Sequence, residues 1–209
     1  MPEAAAEARR DGEGGVAGIV LAAGSSTRMG RNKLLLDLAG EPLVRRAVRA
    51  ALAADLAPIV VVLGHQAQEV EAALAGLPYR PAFNADYAEA QRLSLQCGVR
   101  ALPAAAAAAV VILADMPFVT AAMLRAVAGR YRETGAPLVV SEYGGVFAPP
   151  TLYDRSLFPE VLALAGEGCG RQVARRHRHE AAVVDWPAAA LADLDYAADY
   201  ERVAAELAV

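Results

Sequence analysis

The stretch that decides how this chain reads is Val16-Ala17-Gly18-Ile19-Val20-Leu21-Ala22-Ala23, followed by Gly24-Ser25-Ser26-Thr27-Arg28-Met29-Gly30-Arg31-Asn32-Lys33. Its first half is a continuous apolar run, the pattern of a strand buried on both faces. Its second half is a polar, glycine-containing loop. Small residues there let backbone N–H groups come close to an anion, and Arg28 and Lys33 add fixed positive charge. Such a loop suits a nucleoside triphosphate. It is not a Walker A loop, because no Lys-Ser or Lys-Thr pair follows Gly30. A second glycine run, Gly12-x-Gly14-x-x-Ala17, precedes the strand instead of following one, so it is not a dinucleotide fingerprint.

Working outward from this stretch, strands and helices alternate. Pro42 opens an expected helix to about Ala54, with Leu43, Val44, Ala47, Ala50 and Ala51 on one face. Ile59 to Leu63 reads as a second buried strand, Gln66 to Ala75 as a short helix and Tyr79 to Phe83 as a strand. A helix is expected from Tyr87 until Pro103 stops it. Val110 to Leu113 is a third buried strand. Thr120 caps a helix to about Arg132, Pro137 to Ser141 is a strand, and Gly144-Gly145 marks a turn. Ser156 to Leu164 and Gly170 to His177 read as helices, Ala181 to Val184 as a strand and Tyr196 to Leu207 as a closing helix. Buried strands alternating with amphipathic helices predict an α/β fold, a mostly parallel sheet with helices on both faces. Residues 1–15 lack periodicity and any signal-peptide core, so they are expected to be a disordered extension before a single domain over 16–209.

The chain has 209 residues and a mass of 21.8 kDa, with 56% hydrophobic and 21% charged residues and a mean hydropathy of +0.29. That is enough apolar material for a core, which excludes disorder throughout. No apolar run reaches membrane-spanning length. The net charge of −4 and pI near 5.4 argue against a nucleic-acid partner, which usually demands a basic surplus. Cys97 and Cys169 make neither a disulfide framework nor a CxxC pair. Reduced thiols and a cytoplasmic location are therefore expected.

In open parallel sheets, ligands sit at the carboxyl ends of strands. Asp115, just after the Val110–Leu113 run, is placed there as a carboxylate suited to Mg²⁺. Lys33 is the only lysine among 20 basic residues, in a composition that otherwise uses arginine. Asp193-Leu194-Asp195 presents two carboxylates to one side of an extended segment, as metal ligands or as an N-cap. Arg171, Arg175, Arg176, His177, Arg178 and His179 form a basic run. Arg171 is a candidate contact for an anionic acceptor; the other five read as cations at a helix C-terminus. His177-x-His179 is not a zinc site without further ligands.

Val16 to Leu36 strongly resembles the opening signature of the MobA/MocA-like nucleotidyltransferases, which include the molybdenum cofactor cytidylyl- and guanylyltransferases. Ala114-Asp115-Met116-Pro117 resembles the family's metal motif, and Asn84 to Val99 its middle segment, with Ser94, Leu95 and Gly98 in place. Gly166-Glu167-Gly168-Cys169-Gly170-Arg171 and Asp193-Leu194-Asp195 followed by Asp199-Tyr200 are similar to later elements. The chain departs from the family at Ala90, at Phe147-Ala148-Pro149-Pro150 where an Arg-Gly-His-Pro motif is usual, at Glu167 and Cys169, and at Tyr196-Ala197-Ala198. These departures lie mainly on the acceptor side.

The resemblance implies a Rossmann-like nucleotidyltransferase fold and Mg²⁺-dependent transfer of a nucleoside monophosphate from an NTP to a phosphorylated acceptor such as molybdopterin, with release of pyrophosphate. It implies Arg28, Lys33 and Asp115 as catalytic residues. Leu21, Ala22, Ala23, Gly24, Ser25, Ser26, Arg28, Lys33, Ser94 and Gly98 would bind the nucleotide. Asp115 with Asp193 or Asp195 would hold Mg²⁺, and Arg171 would meet the acceptor. The Leu21-Ala22-Ala23-Gly24 form favours CTP, since the extra Cβ narrows the base pocket. A molybdoenzyme partner follows from the same resemblance; neither nucleic acid nor membrane is expected. Alternatives are transfer to a sugar 1-phosphate or another small molecule, or a member repurposed as an oxidoreductase or a nucleotide-binding chaperone.

Overall fold

The computed structural model describes residues 15–24, 32–165 and 170–191, together with Tyr200 and Val203. The expected extension up to residue 14, Ser25, Ser26, Arg28, the Glu167–Cys169 motif, Asp193, Asp195 and most of the expected closing helix lie outside the described residues. The main strands are β1 (Val16–Ala22), β4 (Ile59–Leu63), β5 (Arg80–Phe83), β6 (Ala108–Leu113), β7 (Leu138–Tyr143), β8 (Val146–Asp154) and β9 (Ala181–Trp186). They form a seven-stranded sheet in the order β5-β4-β1-β6-β8-β7-β9. Only β8 runs against the others. Two short strands, β2 (Asp37–Leu38) and β3 (Glu41–Pro42), make a separate hairpin.

Helices cover both faces. On one lie α1 (Leu43–Ala53), α2 (Ala67–Ala73) and α4 (Ala121–Thr134); on the other lie α3 (Gln91–Arg100), α5 (Phe158–Leu162) and α6 (Gly170–Arg176). The reason is alternation along the strands. Val20, Ala22, Val110, Ile112 and Ala114 point to the first face, and Ala17, Ile19, Ala109 and Val111 to the second. The helices answer with apolar stripes; α1 buries Leu43, Val44, Ala47, Val48 and Ala51. Thr120 caps α4 by accepting from the Met123 N–H at 3.3 Å. Gly135, at φ +64°, ends the helix with its N–H on the Tyr131 carbonyl at 2.8 Å.

Two of the departures from expectation shape the surroundings of the strand ends. Helix α3 starts at Gln91 and not at Tyr87. The Asn84 side chain accepts the Asp86 N–H at 3.1 Å and sets a turn where the helix was expected to start. Strand β8 was not foreseen, because Pro149 and Pro150 interrupt its apolar run. It sits inside the sheet all the same. From Thr151 to Asp154 it pairs with β6, but no pairing with β6 continues past Thr151. A proline has no N–H to give to a ladder. At the same point the β7–β8 register shifts between Val139 and Ser141. Ser141 Oγ and the Tyr143 hydroxyl then donate to the Pro150 and Pro149 carbonyls, at 2.7 and 2.9 Å. The first half of β8 therefore follows β7 and parts from β6.

Candidate active site

The chain runs from β1 outward through β4 and β5, then crosses back to place β6 on the other side of β1. The boundary between β1 and β6 is thus the topological switch point, where open α/β sheets bind ligands. Gly24 follows β1 there and Asp115 follows β6. Lys33, from the short 3-10 turn after the glycine loop, reaches this boundary. Its Nζ lies 2.7 Å from Asp115 Oδ2, with side chains 13% and 24% exposed. The structure therefore brings together two residues that the sequence singled out separately.

Both partners are held from behind. Asn32 accepts the Leu34 N–H on its Oδ1 at 3.1 Å, and Leu34 is buried, so the backbone of Lys33 is anchored on both sides. The Leu36 carbonyl then takes the N–H of Leu43 at the start of α1. On the other side, the Ala114 N–H donates to the Leu21 carbonyl and that of Met116 to Leu113. Met116 is buried, and Arg46 Nε from α1 donates to the Pro117 carbonyl at 3.2 Å. A charge pair fixed in this way needs little reorganisation when an anion arrives.

The predicted nucleotide residues separate by position. Ala23 and Gly24 lie at the strand end, with Ala23 buried. The N–H of His65, after β4, donates to the Ala23 carbonyl at 3.3 Å. A Cβ built on Gly64 would meet Tyr87 at 2.6 Å and the Ala23 methyl at 2.8 Å, so these three residues close on one another. Leu21 lines the neighbouring cleft, whereas the side chain of Ala22 faces the core on the α1 and α4 side. Ser94 is buried, and its Oγ accepts from Asn84 Nδ2 at 3.0 Å. It supports the turn after β5. Gly98, expected to contact the nucleotide, packs against the sheet. A Cβ there would meet Ile19 Cγ2 at 2.5 Å and Val62 Cγ2 at 3.1 Å. There the backbone of α3 lies against β1 and β4.

Beside the switch point lies a cleft of about 510 Å³. It fills the gap where β8 leaves β6. Leu21, Val111, Leu113 and Val140 form an apolar floor, Phe147 a wall, and Arg171, Arg175 and Arg178 the rim. Phe147-Ala148-Pro149-Pro150, which departs from the resembled motif, is thus part of this wall. Arg175 and Arg178, read from the sequence as cations at a helix C-terminus, follow Arg171 by four and seven residues, the spacing of one helical face. Arg176 and His177 of the basic run turn to α5. Arg176 Nη1 lies 2.8 Å from Glu160 Oε1 and His177 Nε2 2.6 Å from Glu160 Oε2. The bond to Glu160 raises the pKa of His177, aided by Glu180. His177 and then Arg176 lower that of Glu160.

The donor set admits a divalent cation in one way. Among the described residues no group of three or more metal-ligating side chains converges. Asp115 is a single hard carboxylate beside a fixed amine. Mg²⁺ keeps several waters and is commonly bound by one or two carboxylates plus substrate phosphates, so a lone Asp115 fits that cation and not an all-protein cage. Among the described residues no helix is long and apolar enough to cross a membrane. The thiol of Cys97 is pushed up by burial, which makes it a poor nucleophile.

A family model described as the MobA-like NTP transferase domain matches residues 18–182. The purine catabolism protein PucB of Bacillus subtilis (strain 168) is 32% identical over 198 residues, covering 89% of this chain and 94% of PucB. The bifunctional protein GlmU of Kineococcus radiotolerans is 39% identical over 143 residues, 66% of this chain but 29% of GlmU. Among solved structures, a nucleotidyl transferase from Methanothermobacter superposes with a TM-score of 0.81 at 25% identity, covering 93% of this chain and 98% of that one. Rv0371c of Mycobacterium tuberculosis, in complex with manganese, gives 0.77 at 25% identity, with 91% and 98% covered.

Proposed function

This chain belongs to the MobA-like NTP transferase family, and from that premise we propose that it transfers CMP from CTP to a phosphorylated small-molecule acceptor with the help of Mg²⁺. The observation that carries the reading is the Lys33–Asp115 pair across the β1–β6 boundary. It sets a cation and a carboxylate side by side at the end of the glycine loop. A phosphate oxygen of the acceptor forms a bond to the α-phosphorus. The α–β bridging P–O bond breaks, and its electron pair leaves with pyrophosphate. No protein nucleophile is required, so the chain contributes position and charge.

In this reading the loop from Ala23 through Ser26 offers N–H groups to the phosphates. Arg28 offsets charge on the leaving pyrophosphate, and Lys33 charge at the α-phosphate. Asp115 would hold Mg²⁺, with Asp193 or Asp195 as a second carboxylate. When bound, the ion neutralises phosphate charge and aligns the phosphates. The Ala23 methyl, closed against Gly64 and Tyr87, supports the preference for CTP, because it leaves less room for a two-ring base. Mg²⁺ as the metal is in keeping with the manganese bound by a structural neighbour of the same fold. A phosphorylated pterin such as molybdopterin is the first acceptor to try, and phosphosugars the second.

Calorimetric titration with CTP, GTP, ATP and UTP, each with Mg²⁺, tests the proposal. CTP should bind selectively, and Lys33→Ala should weaken it by about tenfold or more, as expected for losing a charge-assisted contact to phosphate. Absence of binding by all four nucleotides would overturn it.

A further inference from the structure

Three arginines line one largely apolar cleft, and no carboxylate among the described residues lines it. Arg171 and Arg175 stand one turn apart on α6, and Arg178 follows in the 3-10 turn of Arg178–Glu180. Like charges one turn apart repel. The opposite side of the same basic run shows the usual remedy. There Arg176 and His177 are matched by Glu160, and His177 and His179 approach Glu180. Among the described residues, acids therefore stand on one side of the run and none lines the cleft. Positive charge gathered at a cleft in this way raises the local concentration of anions.

The shape narrows the class of ligand. A volume of about 510 Å³ lies in the range of small-molecule sites and exceeds what a lone phosphate fills. The floor of Leu21, Val111, Leu113 and Val140 offers nothing to a charge. Arg178 lies 5.1 Å from the Phe147 ring centroid, which steadies the guanidinium over the wall. A guanidinium stacked on a ring keeps in-plane N–H groups that can pair with a carboxylate or phosphate. Leu21 and Leu113 stand two residues before Ala23 and Asp115, so the floor leads to the strand ends. The rim arginines lie on α6 and the turn after it.

We infer that the acceptor carries a second anionic group besides the phosphate that attacks, and that Arg175 and Arg178, with Arg171, hold it while an apolar ring body rests on the cleft floor. The inference rests on the nucleotidyl-transfer reading of the strand ends. It assigns two arginines that the motif resemblance does not reach.

The test uses two probes that differ in one group, phenyl phosphate and 4-carboxyphenyl phosphate, titrated calorimetrically into the full chain. The second should bind about tenfold tighter, the scale of one charge-assisted contact. In the Arg175→Gln, Arg178→Gln double variant the ratio should fall below about threefold, since both guanidinium forks are gone. Arg176→Gln, on the Glu160 side, should keep the wild-type ratio. Equal affinity for the two probes, no binding of either, or an unchanged ratio in the double variant would overturn the inference. Titration of the same samples with Mg-CTP reads the nucleotide site separately. Loss of CTP binding strikes the proposed function, whereas the probe ratio strikes only the second anion. Circular dichroism and CTP binding of the variants show that they are folded.

Discussion

His177 Nε2 stands 2.6 Å from Glu160 Oε2, a bond that fixes the residue after α6 to α5. Helix α6 carries Arg171 and Arg175 on its cleft side, so this pair sets where the cleft rim stands. His177 has its pKa raised above the ordinary 6.5 by Glu160, and Glu160 has its own lowered below 4.5 by His177 and Arg176.

The pair gives a pH signature. A raised histidine contributes stability that is complete below 6.5 and fades as pH rises through its raised value. A lowered carboxylate contributes stability that is complete above 4.5 and fades as pH falls through its lowered value. The contribution is therefore greatest between these limits. His177→Gln should lower the melting temperature most near pH 6 and least above pH 9, with a size of about 1 kcal/mol or less for a partly exposed pair. NMR titration of the imidazole protons checks the premise; a midpoint at or below 6.5 would refute it.

Asp115→Asn tests the metal. In the wild type, Mg²⁺ should strengthen CTP binding by about tenfold over EDTA, and in the variant by less than about twofold, because the hard carboxylate at the β6 end is lost. Metal-free CTP binding should hold or rise, since Lys33 is no longer offset by its 2.7 Å neighbour. A variant that responds to Mg²⁺ as the wild type does would remove Asp115 from the metal site.

Gly98→Ala should destabilise without touching the nucleotide. The added methyl would stand 2.5 Å from Ile19 Cγ2. Overpacking of this kind costs about 1–3 kcal/mol. CTP affinity of the folded protein should be unchanged. A stable variant with weakened CTP binding would place Gly98 at the nucleotide site.

Gln96→Leu should also loosen the second face. Its buried Nε2 donates to the carbonyls of Val161, Leu162 and Leu164 at 3.2, 3.1 and 3.0 Å. It thereby ties α3 to the end of α5. Leaving those carbonyls without this donor should cost about 1–3 kcal/mol, seen as a lower urea midpoint. An unchanged midpoint would show that water replaces the amide without loss.

The sequence made the buried strands legible because both faces are covered, so β1 and β4 read as unbroken apolar runs. Lys33 and Asp115 were each legible, one as the sole lysine and the other as a strand-end carboxylate. Their meeting was not, since it depends on β6 lying directly beside β1, and strand order is a long-range property. Strand β8 was hidden by Pro149 and Pro150, which local preference assigns to loops. Its neighbours nonetheless accommodate them through Ser141 and Tyr143. The basic run showed its charge but not its division. The helical spacing held that information, yet only the position of Glu160 shows which side is neutralised.

The prolines of β8 have a consequence for how such a protein can change. Because they open the gap from β6 by lacking amide hydrogens, its width belongs to the main chain, and side chains only furnish it. Phe147, Ala148 and Arg178 can be exchanged for other furnishings while the ladder from Thr151 to Asp154 keeps the sheet intact. Lys33 and Asp115 stand outside that exchange. On the proposed function, one half of the molecule would be a fixed engine and the other an interchangeable socket, so that retargeting it to a new acceptor would be a problem of a few surface residues and not of the fold.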